Sequence, residues 1–272
     1  CHDGQHRKSG EPYIAHPLET ALFLADLRLD DQTIIAALLH DVVEDCGVSL
    51  DEVCQRFGPG VSKLVDGVTK LTRMDIRLHN PDDDELSDVQ DDPDNLYAEN
   101  LRKMLVSMAE DIRVVLIKLA DRLHNMQTLD ALPEDKRRRI AQETLDIYSP
   151  LAHRLGIWDI KWRLDDLAFR HLDEQKYRDI SKILAAKRDE REEYVENVAA
   201  MLREELETFG VEGEVVGRPK GIYSIYRKMQ KYESQGKELR DIYDLFALRV
   251  LVDNNADCYK ALGLVHQLWH PI

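Results

Sequence analysis

Along the first two thirds of the chain, apolar residues recur at intervals of three and four, the spacing that lays one hydrophobic stripe along an α-helix. Residues 18–27 and 34–43 both show it, and Asp30-Asp31 ahead of the second stretch offers the side-chain oxygen that caps a helix N-terminus. Gly47 and Gly58-Pro59-Gly60 supply stops, after which a further helix is expected over 61–71. The tract from Pro81 to Asp94 reads as a solvated loop. Helices resume over 97–108 and 112–129; the run Val114-Val115-Leu116-Ile117 makes the second so apolar that it belongs at the centre of a bundle. Residues 134–156 and 157–172 continue the helical array. The stretch 173–209 is laced with charge, Lys187 to Glu193 being seven charged residues in succession, and reads as an exposed connecting helix. After Gly210 the period changes. Residues 211–216 alternate, 222–232 form a basic helix, 245–252 are apolar and β-branched, and 259–269 are helical again. The pattern predicts a helical domain over 1–172, a connecting helix over 173–209, and the opening of an α+β domain over 210–272.

Composition narrows this picture. With 272 residues, 33% of them charged, the chain resembles neither a disordered nor a collagen-like protein, and it has no run of the roughly 18 to 20 apolar residues that a membrane helix needs. Its formal charge of −15 argues against wrapping nucleic acid by bulk electrostatics. Eight acids and no base lie between Pro81 and Asp94, a composition that favours a disordered insertion over a docking site for a basic partner. The four cysteines form no C-x-x-C pair, which argues against zinc fingers and a disulfide scaffold. The first ten residues carry Arg7 and Lys8 with no apolar stretch behind them, so no secretory signal is visible and the cytoplasm is the expected compartment. The chain starts at Cys1 rather than Met and stops at Ile272 without a closing element, as an excerpt of a longer gene product would.

The candidate chemistry gathers at His40-Asp41-Val42-Val43-Glu44-Asp45. On one continuous helix His40 and Glu44 stand a turn apart, as do Asp41 and Asp45. Ile34, Ile35, Leu38 and Leu39 occupy the opposite side, so the polar groups face an interior cleft where they need a partner, and a metal ion is the economical one. His16, just before a helix, and Asp121, interrupting the apolar run 114–120, offer two more ligands. Two imidazoles and two carboxylates without a thiolate suit Mn²⁺, Fe²⁺ or Zn²⁺ and argue against a structural zinc site. Taken singly, His16 before Pro17 also reads as a turn cap, and Asp121 as an ion-pair partner of Arg122 or Arg113.

Four separated strings resemble one family. Arg7-Lys8-Ser9-Gly10-Glu11-Pro12-Tyr13-Ile14 with His16-Pro17, then Leu39 to Asp45, then Lys118-Leu119-Ala120-Asp121-Arg122-Leu123-His124-Asn125-Met126, resemble the HD-type hydrolase domain of the RelA/SpoT alarmone enzymes of the stringent response. Gly217-Arg218-Pro219-Lys220-Gly221-Ile222-Tyr223-Ser224-Ile225-Tyr226-Arg227-Lys228-Met229 is similar to the opening of that family's synthetase domain. The resemblance implies a mainly α protein: an all-helical, metal-dependent phosphohydrolase domain followed by a truncated α+β, nucleotidyltransferase-like synthetase domain. It implies Mn²⁺-dependent hydrolysis of (p)ppGpp to GDP or GTP and pyrophosphate, within a bifunctional enzyme that also transfers pyrophosphate from ATP to GDP or GTP with Mg²⁺.

By the same resemblance His16, His40, Asp41 and Asp121 hold the metal and Glu44 with Asp45 form the catalytic acidic pair. Arg7 and Lys8 meet the guanine and phosphates, and Asn125 and Thr128 lie nearer the ribose or phosphate. Arg218, Lys220, Ser224 and Lys228 match ATP-binding positions, and Asp244 matches a Mg²⁺ ligand. Between Arg218 and Tyr232 five bases meet no acid, which suits a polyphosphate. The family's second acidic ligand and its Tyr-containing guanine-nucleotide segment are expected farther on, as are regions for ribosome association. One departure stands out: the family often has Arg after Asn-Met, where this chain has Gln127. Two other readings remain open at this level, a related phosphohydrolase of another nucleotide and a non-catalytic alarmone sensor that signals through 173–209.

Overall fold

The computed structural model describes residues 1–2, 4–79, 111–186, 188–233 and 246–270. The acidic tract 81–94, the helix expected over 97–108 and Asp244 lie outside the described residues. The chain divides into two compact units, Cys1–Leu172 and Asp173–Ile272.

In the first unit α1 (Ala15–Asp26) and α2 (Asp31–Leu39) pack against one another. Asp30 caps α2 as its sequence suggests, accepting a hydrogen bond from the Thr33 amide at 3.0 Å. A short α3 (Val42–Asp45) and α4 (Leu50–Phe57) follow; Gly58 closes α4 at a positive φ of 90° that a glycine tolerates, and Pro59 at once opens α5 (Pro59–His79). That helix runs beyond the limit expected at 71. The central element is α6 (Ile112–Gln127): eleven of its sixteen residues are buried, including Lys118, Asp121, Arg122 and His124 as well as the apolar run. It touches α1, α2, α5 and the later α9. Arg113 ties its N-terminus to that of α2, pairing with Asp111 at 2.8 Å and Asp30 at 3.2 Å. The stretch 134–156, expected to continue the helical array, comprises α7 (Glu134–Glu143), a π-helical turn (Thr144–Tyr148) and α8 (Ser149–Arg154), and α9 (Trp158–Leu172) packs back over all three. The buried Asp165 of α9 takes hydrogen bonds from Ser149 and Lys161, so its charge is compensated where it is desolvated.

The second unit begins with α10 (Glu174–Ala186) and α11 (Arg188–Thr208). The stretch read as an exposed connector therefore contributes core: Ala199, Leu202 and Leu206 of α11 are buried together with Val211, Val215, Ala261 and Leu264. Two strands, β1 (Gly213–Pro219) and β2 (Phe246–Val252), pair antiparallel from Gly213 opposite Val252 to Pro219 opposite Phe246. Between them lies α12 (Ile222–Glu233), which packs on α10, and after them α13 (Asn255–Leu268), which packs on α11 and β2. Helix above a small antiparallel sheet is the α+β arrangement that the change of period predicts.

The approach of α5 to α6 depends on Gly67. A Cβ at that position would lie 2.7 Å from Val114 Cγ2, closer than packed carbons tolerate. Overpacking of about 1–3 kcal/mol should therefore outweigh the helix-propensity gain of up to about 1 kcal/mol, so Gly67→Ala lowers stability. Urea unfolding of Gly67→Ala, alone and combined with Val114→Ala, checks this: the second substitution should recover part of the loss.

Candidate metal centre and adjoining cavity

The chain is not one helix across the His-Asp string. Helix α2 ends at Leu39, and Asp41 sits at φ −99° and ψ −7° before the four-residue α3. The physical reason lies in a competing bond: Nδ1 of His40 bonds the Ala37 carbonyl at 2.7 Å, the acceptor that the Asp41 amide would use in an unbroken helix. The one-turn spacing of His40 over Glu44 is thus replaced by a kink that turns His40 and Asp41 toward the same point.

Three elements meet there. His16 comes from the first turn of α1, His40 and Asp41 from the kink, and Asp121 from the middle of α6. His16 Nε2 lies 3.2 Å from Asp121 Oδ1 and 3.6 Å from Asp41 Oδ2. His40 Nε2 lies 3.1 Å from Asp41 Oδ1 and 4.0 Å from Asp121 Oδ1. Ligand atoms of His16, His40 and Asp41 all fall within 4.8 Å of one another, and His16 and His40 are almost wholly buried. His40 Nε2 is close to Asp41 but makes no aligned hydrogen bond, an orphaned buried nitrogen facing carboxylate oxygens. That donor set fits a divalent cation of the Mn²⁺, Fe²⁺ or Zn²⁺ type, and leaves the choice among them open.

The electrostatics are those of carboxylates placed where they need cations. Burial opposes ionisation of Asp121, yet Lys118, His16 and His40 hold its carboxyl well below the usual range. Burial likewise works against Asp41, and His40 overcomes it and keeps that carboxyl low. For His40 itself burial favours the neutral ring, but Asp41 and Asp121 outweigh it and hold the pKa up at about 9. His124 goes the other way: burial, His16 and Arg7 push it down to about 4.

Several partners in this network escaped the sequence reading as site residues, although Lys118 and Tyr13 each lie in a string quoted above. Lys118 is buried with Nζ 3.0 Å from Asp121 Oδ2 and 3.1 Å from Thr72 Oγ1; a lysine three residues before an acid in an apolar helix is the available signal. Tyr13 places its hydroxyl 2.8 Å from Asp41 Oδ2 and 2.5 Å from Asp45 Oδ2, one proton shared between two carboxylates. Burial and then those two acids raise its phenol far above the ordinary range. His2 stacks on the Tyr13 ring at 4.3 Å. Nothing in the spacing of Tyr13 and Asp45 announces that contact. The ion pairs weighed for Asp121 fall elsewhere: Arg113 is taken by Asp30 and Asp111, while Arg122 pairs with Glu143 at 3.0 Å and stacks over Tyr148.

Beside the cluster lies a cavity of about 390 Å³. Its lining includes Arg7, Lys8, Asn125 and Thr128 together, with Leu129, Leu132 and Ile140 as an apolar wall. Arg7 spans the two regions. One guanidinium nitrogen lies 2.9 Å from His124 Nδ1, another donates to Asn125 Oδ1, and Asn125 Nδ2 in turn donates to Asp121 Oδ1 at 2.5 Å. Glu44 is half-buried and Asp45 exposed, both on α3.

In the second unit Ser224 and Lys228 stand four residues apart on α12, both half-buried, and Lys220 precedes that helix. Lys228 Nζ lies 5.6 Å from the Tyr232 ring centroid. Arg218 belongs to β1. Among the described residues no helix is long and apolar enough to cross a membrane.

A family model described as an HD domain matches residues 1–158, and one described as a region found in RelA / SpoT proteins matches residues 217–272. The helical unit is thus an HD domain. Over 272 residues the chain is 47% identical to the probable guanosine-3′,5′-bis(diphosphate) 3′-pyrophosphohydrolase of Synechocystis sp.. Over 271 residues it is 46% identical both to the bifunctional (p)ppGpp synthase/hydrolase SpoT of Escherichia coli and to the GTP pyrophosphokinase of Myxococcus xanthus. These alignments cover 100% of this chain and 34%, 36% and 34% of the three relatives, so the chain spans about a third of their length. With both regions in that order, the chain belongs to the RelA/SpoT family.

Tyr13→Phe keeps the ring and removes the shared proton. Hydrogen bonds to charged groups contribute about 1.5–3 kcal/mol, and their loss leaves two like charges facing each other. Stability in urea should fall by about 1–3 kcal/mol relative to the parent chain; an unchanged midpoint would show that the hydroxyl carries no such bond.

Proposed function

We propose that the helical unit hydrolyses (p)ppGpp, returning GDP or GTP and releasing pyrophosphate from the 3′ position. One observation carries this reading: the His-Asp cluster and the cavity bearing Arg7, Lys8, Asn125 and Thr128 adjoin, although their residues are scattered from 7 to 128. His16, His40, Asp41 and Asp121 would hold Mn²⁺. The chemistry supplied by such a cation when bound is Lewis acidity toward water and toward the diphosphate oxygens.

The chain's own residues do the rest. Arg7 and Lys8 offer cationic donors to the phosphates, with the forked Arg7 suited to two oxygens at once. Leu129, Leu132 and Ile140 give the base an apolar wall, and Asn125 and Thr128 offer the ribose an amide and a hydroxyl. Glu44 and Asp45 take the proton of the attacking water; Tyr13 orients the Asp45 carboxylate for this task. The water oxygen bonds to the phosphorus attached to O3′, the bond from that phosphorus to O3′ breaks, and O3′ leaves with the proton that the acidic pair took from the water. In the second unit the basic stretch supports binding of ATP phosphates by Arg218, Lys220, Ser224 and Lys228, with Mg²⁺ at Asp244, for pyrophosphate transfer to GDP or GTP in the longer protein.

Mn²⁺-dependent pyrophosphate release from ppGpp, compared with GTP and dGTP, tests the substrate. Asp121→Asn should abolish both Mn²⁺ binding and turnover, and full activity in strong chelator would sink the assignment. The acidic pair separates from the ligands in a second measurement: Glu44→Gln combined with Asp45→Asn should retain Mn²⁺ while turnover falls about 10²-fold or more. Loss of Mn²⁺ in that double variant would make one of the two a ligand instead.

A further inference from the structure

The three imidazoles at the cluster are not equivalent. His16 and His40 turn Nε2 toward Asp41 and Asp121, whereas His124 turns Nδ1 toward Nδ1 of His16, at 2.8 Å. Two ring nitrogens at that distance need one proton between them, and Arg7 decides which ring owns it. Its guanidinium lies 2.9 Å from the same His124 Nδ1 and has no acceptor, so His124 Nδ1 must present a lone pair. The proton then belongs to Nδ1 of His16. A neutral His16 in that tautomer carries its own lone pair on Nε2, the atom 3.2 Å from Asp121 and 3.6 Å from Asp41. For His40 the Nδ1 proton is fixed by another route, because a carbonyl can only accept and Nδ1 of His40 donates to Ala37.

We propose that His124 is a positioning residue for the candidate metal centre: its Nδ1 lone pair, kept bare by Arg7, locks His16 in the Nδ1–H tautomer and aims the Nε2 lone pair at the cation. The inference rests on the metal-dependent reading of the site. Outer partners of this kind fix ring orientation and raise ligand basicity, and their loss typically weakens metal binding by about 10- to 100-fold. Through Asn125 the other arm of Arg7 reaches Asp121, so one guanidinium in the cavity wall touches the outer partners of two ligands.

Calorimetric titration of the 272-residue chain with Mn²⁺ alone tests His124. His124→Phe should weaken binding about 10- to 100-fold, and His124→Gln, whose Oε1 accepts the same proton, should stay within about threefold of the parent. Nitrogen-15 spectra of the Zn²⁺-loaded parent chain should show His16 protonated at Nδ1 with metal at Nε2, and His124 protonated at Nε2 only. Unchanged affinity in a folded Phe variant, failure of Gln to rescue, or metal on Nδ1 of His16 each overturns the proposal. If circular dichroism shows the Phe variant unfolded, the parent spectrum decides. Absence of Mn²⁺ and Zn²⁺ binding by the parent chain overturns the metal reading itself, and is distinguishable because no variant is then needed.

Discussion

Two carboxylates buried at one point constrain the helical unit more than any other feature. Asp41 and Asp121 are both held ionised although desolvation works against each, and the partners that favour the charged form come from three elements. Lys118 supplies a fixed charge from α6 itself, while His16 and His40 supply imidazoles from α1 and from the kink after α2. Any change that let α1, α2 and α6 drift apart would leave charges buried alone. The packing of these helices and the chemistry at their meeting point are therefore one problem with one solution.

The spacing on α6 explains how that solution reaches outward. Asp121, His124 and Asn125 stand at intervals of three and four, so all three share one helix face. Asp121 points into the cluster, His124 leans on His16, and Asn125 bonds Asp121 while also meeting Arg7. A cavity wall and a candidate metal ligand are thus one hydrogen bond apart, through Asn125. Gly67 lets α5 come close behind this helix, and Arg113 pins its start to the cap of α2, so the face is carried on a rigid support.

In the second unit the charged helix α11 shows how composition misleads about burial. Its surface is dense in acids and bases, yet Ala199, Leu202 and Leu206 form a stripe that covers the two-stranded sheet. Long charged side chains on the outer face do not prevent a helix from supplying core on the inner one.

The mainly helical character, the caps at Asp30 and Gly58, the central place of 112–127 and the change to α+β after Gly210 were all legible in the chain, because each depends on local periodicity or on one residue's backbone preference. Membership of the RelA/SpoT family was legible too, since motifs are strings. What the string could not contain was the kink at His40, where a ring nitrogen takes a carbonyl from the helix ladder and an expected one-turn spacing is lost. Nor could it contain Tyr13 bridging Asp41 and Asp45, Lys118 paired with Asp121 in place of the arginines, or His124 against His16 across 108 residues of chain. Those contacts exist only once desolvated charges have been forced to find partners in three dimensions, and sequence separation carries no record of which partner will be within 3 Å.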